Sequence, residues 1–361
     1  MTRHFLTSAN NSSSAFFSEY RRAFVVICVM ITCLFLPAAV LGAKNSSALY
    51  SPLDSAKLRK ELSLVRGAVP ISERTWPRTI NYALEEYDFS SNSFRRETRT
   101  LVVNKKPQRI MPHSAGVAEI LWAICPRERL VAFNDISADP DFSFIANEVK
   151  AQGRIFRTKE TEVLIGLRPD LVFTVSYSNA DFKEKLRQTR IPYVDLGYFG
   201  SVKSIKEQIL LIGNLIGEEG NAMALVKLMD NKMADIRKRL PASRRLRILY
   251  YDRGGYVPGE LSNFNSICEM IGVVNVGAER GIRSWSQIDR ETLLKWNPDV
   301  IIVPDRTKLK KLLASDRMLI HLRAVKSGAI YDVPGLYLQA SSQYILLSAD
   351  YLASLIYRRT L

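Results

Sequence analysis

The sequence predicts an α/β fold of two lobes with mainly parallel sheets, joined by a helical segment. Short apolar strands alternate with helices from about residue 109 to 196 and again from about 246 to 357, the rhythm of parallel sheets with crossover helices. Between the two runs lies a long helical pattern, Ser204 to Leu240. One motif also occurs once in each half. Glu162-Val-Leu-Ile-Gly-Leu-Arg-Pro-Asp170-Leu-Val-Phe matches Glu291-Thr-Leu-Leu-Lys-Trp-Asn-Pro-Asp299-Val-Ile-Ile, so a structural duplication is expected. In each copy proline stops a helix, because it cannot continue one and disfavours helical geometry just before it, and the chain is released into a buried strand.

Composition sets the outer limits. The 361 residues carry 51 Lys+Arg against 36 Asp+Glu, a formal charge of +15, and 47% are hydrophobic. That is ordinary globular composition with length for two packed units. The basic residues are scattered in pairs such as Lys105-Lys106 and Lys310-Lys311, without aromatic interleaving, so a solvated surface and no nucleic-acid partner are expected. Four cysteines cannot build a disulfide scaffold; Cys125 and Cys268 read as buried thiols.

Residues 1–43 read as a secretory signal. Ala23 to Val40 is an uncharged apolar run behind Arg21-Arg22 and ahead of Leu41-Gly42-Ala43, with cleavage expected after Ala43. The run just reaches spanning length, so an uncleaved anchor is the alternative. Tyr20-Arg21-Arg22-Ala23-Phe24 loosely resembles a twin-arginine signal, and an ordinary positive flank is favoured. The mature chain is expected to work outside the cytoplasm, in the periplasm.

Residues 44–106 form an N-terminal extension and a β-hairpin: a short helical pattern from Leu53 to Leu64, then alternation from Thr79 to Val103 with turn residues at 90–93. In the first lobe, residues 107–200, strands are expected near 109–112, 130–133, 171–175 and 193–196, with helices near 115–125, 158–167 and 179–189. In the segment 201–241 apolar residues recur at three-and-four spacing from Ile205 to Ile236. Gly213 and Gly217 to Gly220 leave open one long helix or two in tandem. The second lobe, 242–361, has expected strands at 246–251, 300–303 and 329–332, helices at 263–271, 288–296 and 307–314, and a closing helix from about Ser341 to Tyr357.

No P-loop, zinc-protease helix, G-x-S-x-G or dinucleotide fingerprint is present, so no catalytic residues, no catalytic cofactor and no enzyme activity are expected. With His113 and His321 as the only histidines past residue 43, a resident site for bare zinc or manganese has too few ligands. Binding candidates gather where strands end, the place open α/β sheets put ligands: His113, Tyr177, Tyr198, Arg253, Tyr256, Arg306 and Tyr337. Phenol and guanidinium groups suit a large, flat or anionic ligand. His321, between Arg317 and Arg323, reads as structural.

Tyr250-Tyr251-Asp252-Arg253-Gly254-Gly255-Tyr256-Val257-Pro258-Gly259, with Glu269-Met-Ile-Gly272-Val-Val-Asn275, Trp285-Ser-Gln-Ile-Asp-Arg-Glu291 and Asn297-Pro298-Asp299, resembles the class III periplasmic substrate-binding proteins of ABC importers for ferric siderophores, haem and cobalamin. Pro107-Gln108-Arg109-Ile110, Gly116 to Ile124, Glu162 to Asp170 and Ile191-Pro192-Tyr193-Val194 agree in the first lobe. The resemblance covers about 107–358. It implies two lobes bridged by a rigid helix, with an iron chelate, haem or cobalamin held in the cleft between them, and a monomer that delivers its cargo to an ABC permease dimer. It adds Trp285 to the ligand candidates and assigns permease docking to Glu162 and Glu291. Gly153-Arg154-Ile155-Phe156-Arg157 is more basic and bulky than the family pattern. An anchored sensor of the same fold, or an enzyme acting on the chelate, are the alternative readings.

Overall fold

Two copies of one hydrogen-bond network build the bases of the two lobes. The computed structural model describes residues 49–67, 75–88, 93–157, 160, 162, 166–242 and 245–357; the signal expected at 1–43 and most of the helix expected over 158–167 lie outside them. In the first lobe Arg109 donates from Nε to the Arg168 carbonyl at 3.0 Å and from Nη2 to the Leu167 carbonyl at 2.6 Å. Asp170 accepts the backbone N–H groups of Gln108 and Arg109, both at 2.8 Å. In the second lobe Arg247 Nη1 donates to the carbonyls of Trp296 (2.9 Å) and Asn297 (3.3 Å), and Asp299 accepts the Arg247 N–H at 3.0 Å. The repeated Pro-Asp is thus half of a clasp. Proline ends the helix, the arginine takes carbonyls that the ended helix leaves unpaired, and the aspartate fixes the start of the neighbouring strand. The residue before proline takes φ 43° at Arg168 and 44° at Asn297. Asparagine tolerates that conformation, whereas for arginine it costs about 1–2 kcal/mol.

The described chain opens with helix α1 (Ser55–Ser63), whose N-cap Asp54 accepts the Lys57 N–H. An antiparallel hairpin follows, β1 (Arg78–Asp88) and β2 (Ser93–Val103). The first lobe then runs β3 (Ile110–Pro112), α2 (Ala115–Ile124), β4 (Phe133–Asn134), α3 (Ala146–Gln152), β5 (Ile155–Phe156), β6 (Leu171–Thr174), α4 (Ala180–Thr189) and β7 (Tyr193–Asp195). Strands β3-β6-β7 form one parallel sheet and β4-β5 a parallel pair. The strand expected over 130–133 is shorter, because a 3-10 turn occupies Arg127–Arg129 and Leu130 meets Ile110 through a single bridge. Helix α3 and strand β5 are additions to the expected order. Only Ala146 and Val149 of α3 are buried, too few to set a period.

The helical pattern after β7 resolves into two helices, α5 (Val202–Ile216) and α6 (Glu219–Arg239). Gly217, at φ 71°, ends the first in the left-handed conformation that glycine adopts most readily. Ser201 and Ser204 cap α5 reciprocally, and the buried Ile205, Ile209, Ile212 and Ile216 form its inner stripe. The second lobe runs β8 (Arg247–Tyr250), β9 (Tyr256–Pro258), α7 (Asn263–Met270), β10 (Val274–Asn275), α8 (Val276–Glu279), β11 (Trp285–Gln287), α9 (Arg290–Trp296), β12 (Val300–Pro304), α10 (Leu309–Ser315), α11 (Arg323–Lys326), β13 (Ile330–Val333), α12 (Gly335–Leu338) and α13 (Ile345–Tyr357). Its parallel sheet is ordered β10-β8-β12-β13, with β9 and β11 as a separate antiparallel pair.

One apolar core runs through both lobes, from Val117 and Ile120 on α2, through Ile209 on α5 and Met229 on α6, to Phe264 on α7 and Ile345 on α13. The N-terminal extension straps this core. Tyr50 Oη and the Leu53 N–H both donate to Asp350 on α13, at 2.6 and 2.9 Å. The Val65 N–H reaches the Ala123 carbonyl at 3.0 Å, and Leu58 and Leu62 are buried in the same core.

Removing a clasp weakens the fold. Asp299→Ala is expected to cost about 2–4 kcal/mol in equilibrium urea unfolding, because it strands a backbone donor and the charged bonds around it. Arg323→Ala, which removes only a partly exposed partner 3.2 Å from Asp299, is expected to cost less than about 1 kcal/mol. Equal losses would contradict the clasp.

Candidate functional site

The carboxyl ends of the first lobe's parallel strands open onto a cavity of about 560 Å³, which elements of the second lobe close from the other side. The first lobe lines it with His113 and Ser114 after β3, Asn134 at the end of β4, Tyr177 and Ser178 after β6, and Tyr198 and Phe199 after β7. The second lobe adds Ser262 and Asn263 at the start of α7, Trp285 on β11, and Leu338 to Ser341 between α12 and α13. Parallel strands aim their carboxyl ends one way, so the residues that leave them converge.

His113 is a fixed part of the wall. Its ring stacks on Phe182 with centroids 3.7 Å apart, its Nδ1 lies 3.1 Å from Ser178 Oγ, and its N–H donates to the Phe173 carbonyl at 2.9 Å. Tyr177 is 62% exposed as a residue, yet its hydroxyl end sits against Ser341 and Ser114. Burial there pushes the phenol pKa up, the serine hydrogen bonds pull it down, and the charge of Glu119 adds to the rise. Tyr177 is therefore a neutral phenol at physiological pH. Tyr198 Oη donates to the Leu261 carbonyl of the second lobe at 3.1 Å, and Trp285 stands edge-on to Tyr250 at 5.6 Å.

Of the eight ligand candidates, His113, Tyr177, Tyr198 and Trp285 share this wall. Arg253, Tyr256, Arg306 and Tyr337 stand elsewhere. Arg253 and Tyr256 are exposed, on or beside β9. Arg306 pairs with Asp141, joining the second lobe to the first. Tyr337 stacks on Tyr351 at 4.3 Å and borders a neighbouring cavity of about 360 Å³. Strand ends are legible in a sequence, but the side to which each following loop turns is set by packing.

Glu119 belongs to the wall and stands outside the expected ligand set. It is the one charged residue of α2 and is buried. It accepts from the Phe144 N–H at 2.7 Å, from Ser143 Oγ at 3.4 Å and from Ser342 Oγ at 2.5 Å, while Gln343 Nε2 donates to its backbone carbonyl at 2.9 Å. Burial pushes its pKa up to about 7 against the pull of those hydrogen bonds. Gly116, one turn earlier, permits the contact: a Cβ there would lie 2.4 Å from Ser341 Oγ. A lone carboxylate in an apolar helix was the signal for this residue.

The wall is otherwise made of hydroxyls, amides and aromatic rings. Among the described residues lining it there is no lysine or arginine. Among the described residues no group of three His, Cys, Asp or Glu side chains gathers as a metal site. Cys125 and Cys268 are buried free thiols, and burial pushes both up, Cys125 to about 12. Away from the cavity, Glu162 is exposed and 3.2 Å from Lys185 Nζ, and Glu291 is exposed in the first turn of α9.

Residues 114–336, which carry most of both lobes and the cavity wall between them, match the periplasmic binding protein family. The chain belongs to that family. Among curated relatives this periplasmic binding protein is 25% identical over 270 residues to an uncharacterized ABC transporter substrate-binding lipoprotein, YvrC, of Bacillus subtilis (strain 168), covering 72% of this chain and 83% of the relative. It is 24% identical over 229 residues to a cobalamin-binding protein of Halobacterium salinarum, covering 62% and 59%. Among solved structures, the periplasmic haem-binding protein HutB of Vibrio cholerae superposes with a TM-score of 0.59 at 20% identity, over 69% of this chain and 99% of that one. At that identity the likeness is one of fold, the helix-bridged pair of lobes.

Glu119 makes stability depend on pH. Its folded pKa stands above the ordinary value of 4.5, at about 7, so the fold favours the protonated form. The stability this gives is full below about pH 4.5 and is lost as pH rises through about 7. Relative to Glu119→Gln, the wild type is expected to lose about 3 kcal/mol between pH 4.5 and 8.5 in urea unfolding. A gap that stays constant with pH would contradict this.

Proposed function

We infer that this periplasmic binding protein is the exported, monomeric substrate-binding component of an ABC importer, and that its cargo is a metal chelate with an uncharged, amide-bearing rim: a corrinoid of the cobalamin class. The observation that carries this reading is the chemistry of the cleft wall. Tyr177, Tyr198, Phe142 and Trp285 offer apolar faces for a broad ring. Ser262, Asn134, Asn179, Asn263 and Gln339 offer the donors and acceptors that peripheral amides need. Haem carries propionates, and ferric tricatecholates keep a net negative charge. Such groups call for guanidinium or ammonium partners, and an anion buried without them is costly. The curated relative named as a cobalamin-binding protein supports the same choice.

Calorimetric titration tests the cargo. Cyanocobalamin is expected to bind at least about tenfold more tightly than hemin or a ferric tricatecholate, and Trp285→Ala to weaken it by about tenfold or more, the loss of an aromatic anchor. Tight hemin binding with no corrinoid binding would overturn the assignment.

The curated relative named as an ABC transporter substrate-binding lipoprotein supports delivery to a permease, and we propose Glu162 and Glu291 as the residues that engage its arginines. Their exposure and their position in the two repeats support the role. Truncating one partner of a desolvated interfacial charge pair costs roughly 2–5 kcal/mol, and reversal adds repulsion. Glu162→Arg with Glu291→Arg is therefore expected to abolish uptake in cells while leaving ligand affinity unchanged, with partial loss for each single change. Normal uptake by the double variant would remove the role from these residues.

A further inference from the structure

A second concavity lies at the other end of the first lobe, where the strands begin. A groove of about 680 Å³ runs between Leu101 to Lys105 on one side and Arg168 to Leu171 with Thr189 to Pro192 on the other. We propose that this groove receives an extended acidic polypeptide segment, which adds as a strand to the free edge of β2.

The edge is the first reason. Strand β2 pairs with β1 alone, and among the described residues no backbone hydrogen bond reaches it from outside the hairpin. Proteins blunt such edges with charge, and the outer half of β2 carries Arg95, Arg96, Glu97 and Arg99. The inner half, Thr100 to Val103, carries no charge, is mostly β-branched, and leaves Val102 54% exposed beside the groove. The edge is guarded away from the groove and open along it. Free strand N–H and C=O groups are matched best by another extended backbone.

Charge sets the composition of the guest. Lys105, Arg168 and Arg190 are exposed on the rim, and none of them pairs with a carboxylate among the described residues. The groove's own carboxylate, Asp170, is held by the Gln108 and Arg109 N–H groups. A second copy of this chain would bring a β2 of three arginines and one glutamate, net positive although its arginines reach Glu85 and Glu97, against the same cations, which disfavours self-pairing.

The fold does not account for two of those cations. Arg168 and Arg190 take φ 43° and 56°, where glycine or asparagine is the usual choice. The duplicated lobe supplies a control, since Asn297 occupies the position equivalent to Arg168 with φ 44° and completes the same clasp. Arginine is not needed for the backbone there. Arg168 lines the groove and is exposed.

The test uses the full chain and a fluorescein-labelled decapeptide of alternating valine and glutamate, with a valine–lysine decapeptide as control. Saturable binding is expected, at least about tenfold tighter for the glutamate peptide, as charge complementarity requires. Bound peptide is expected to slow amide hydrogen exchange at Thr100 to Val103. Arg168→Asn with Arg190→Gly is expected to weaken binding by about tenfold or more while the thermal midpoint holds or rises, because both changes relieve left-handed strain. Three results would each overturn the proposal: no saturable binding of the glutamate peptide, binding without protection of β2, or binding that survives the double variant. If dodecanoate, and not the peptide, occupies the groove in an Arg168- and Arg190-dependent way, the site takes free amphiphiles and the proposal is wrong.

Discussion

The bond between an arginine at the head of a strand and the last carbonyls of the helix ahead of its neighbour organises both lobes. Arg109 and Arg247 each hold a helix end, and Asp170 and Asp299 each hold the backbone of that same strand start. The clasp locks two parallel strands in register at their amino ends. Everything useful happens at their carboxyl ends, which the clasp thereby aligns. His113 and Tyr177 leave strands whose starts are fixed in this way, Tyr198 leaves β7 alongside them, and the opposite lobe supplies Trp285 and Ser341 to the same space. Helices α5 and α6 span the interval between the lobes, broken once at Gly217.

Charge is then distributed against the overall balance of the chain. A protein of formal charge +15 lines its interlobe cavity without a described lysine or arginine, and the buried carboxylate there, Glu119, has its pKa lifted toward neutrality. Basic groups stand instead on outer surfaces, as at Lys105, Arg168 and Arg190, or are engaged between lobes, as Arg306 is by Asp141. The cavity therefore offers shape, stacking faces and neutral hydrogen bonds. The Ser342 and Phe144 bonds to Glu119 place that carboxyl where the two lobes meet, so its protonation state bears on how firmly they are held.

Much of this was legible in the amino-acid order because the repeat carries its own mechanism. At Pro169-Asp170 and Pro298-Asp299 the residue order itself marks a helix stop and a strand start. What could not be read were elements without a period, such as α3 with two buried residues, and β5, only two residues long. The N-terminal extension had no visible purpose because its partners, Ala123 and Asp350, are remote in sequence. At the site, four ligand candidates share the wall and four do not. Arg253 and Tyr256 lie on or beside β9, whose pairing with β11 is a long-range event, and Arg306 is claimed by a carboxylate more than a hundred residues away. Glu119 was visible as a lone charge in an apolar helix, but its role depends on Ser342 arriving from the far end of the chain.

The central claim is that an uncharged, amide-rimmed chelate fits a cavity built from hydroxyls, amides and rings. The most direct measurement is native mass spectrometry with visible absorbance on the protein isolated, already loaded, from its own extracytoplasmic fraction. The account predicts one corrinoid per chain, with cobalt and corrin bands. A haem Soret band, or a ferric siderophore of matching mass, would contradict it.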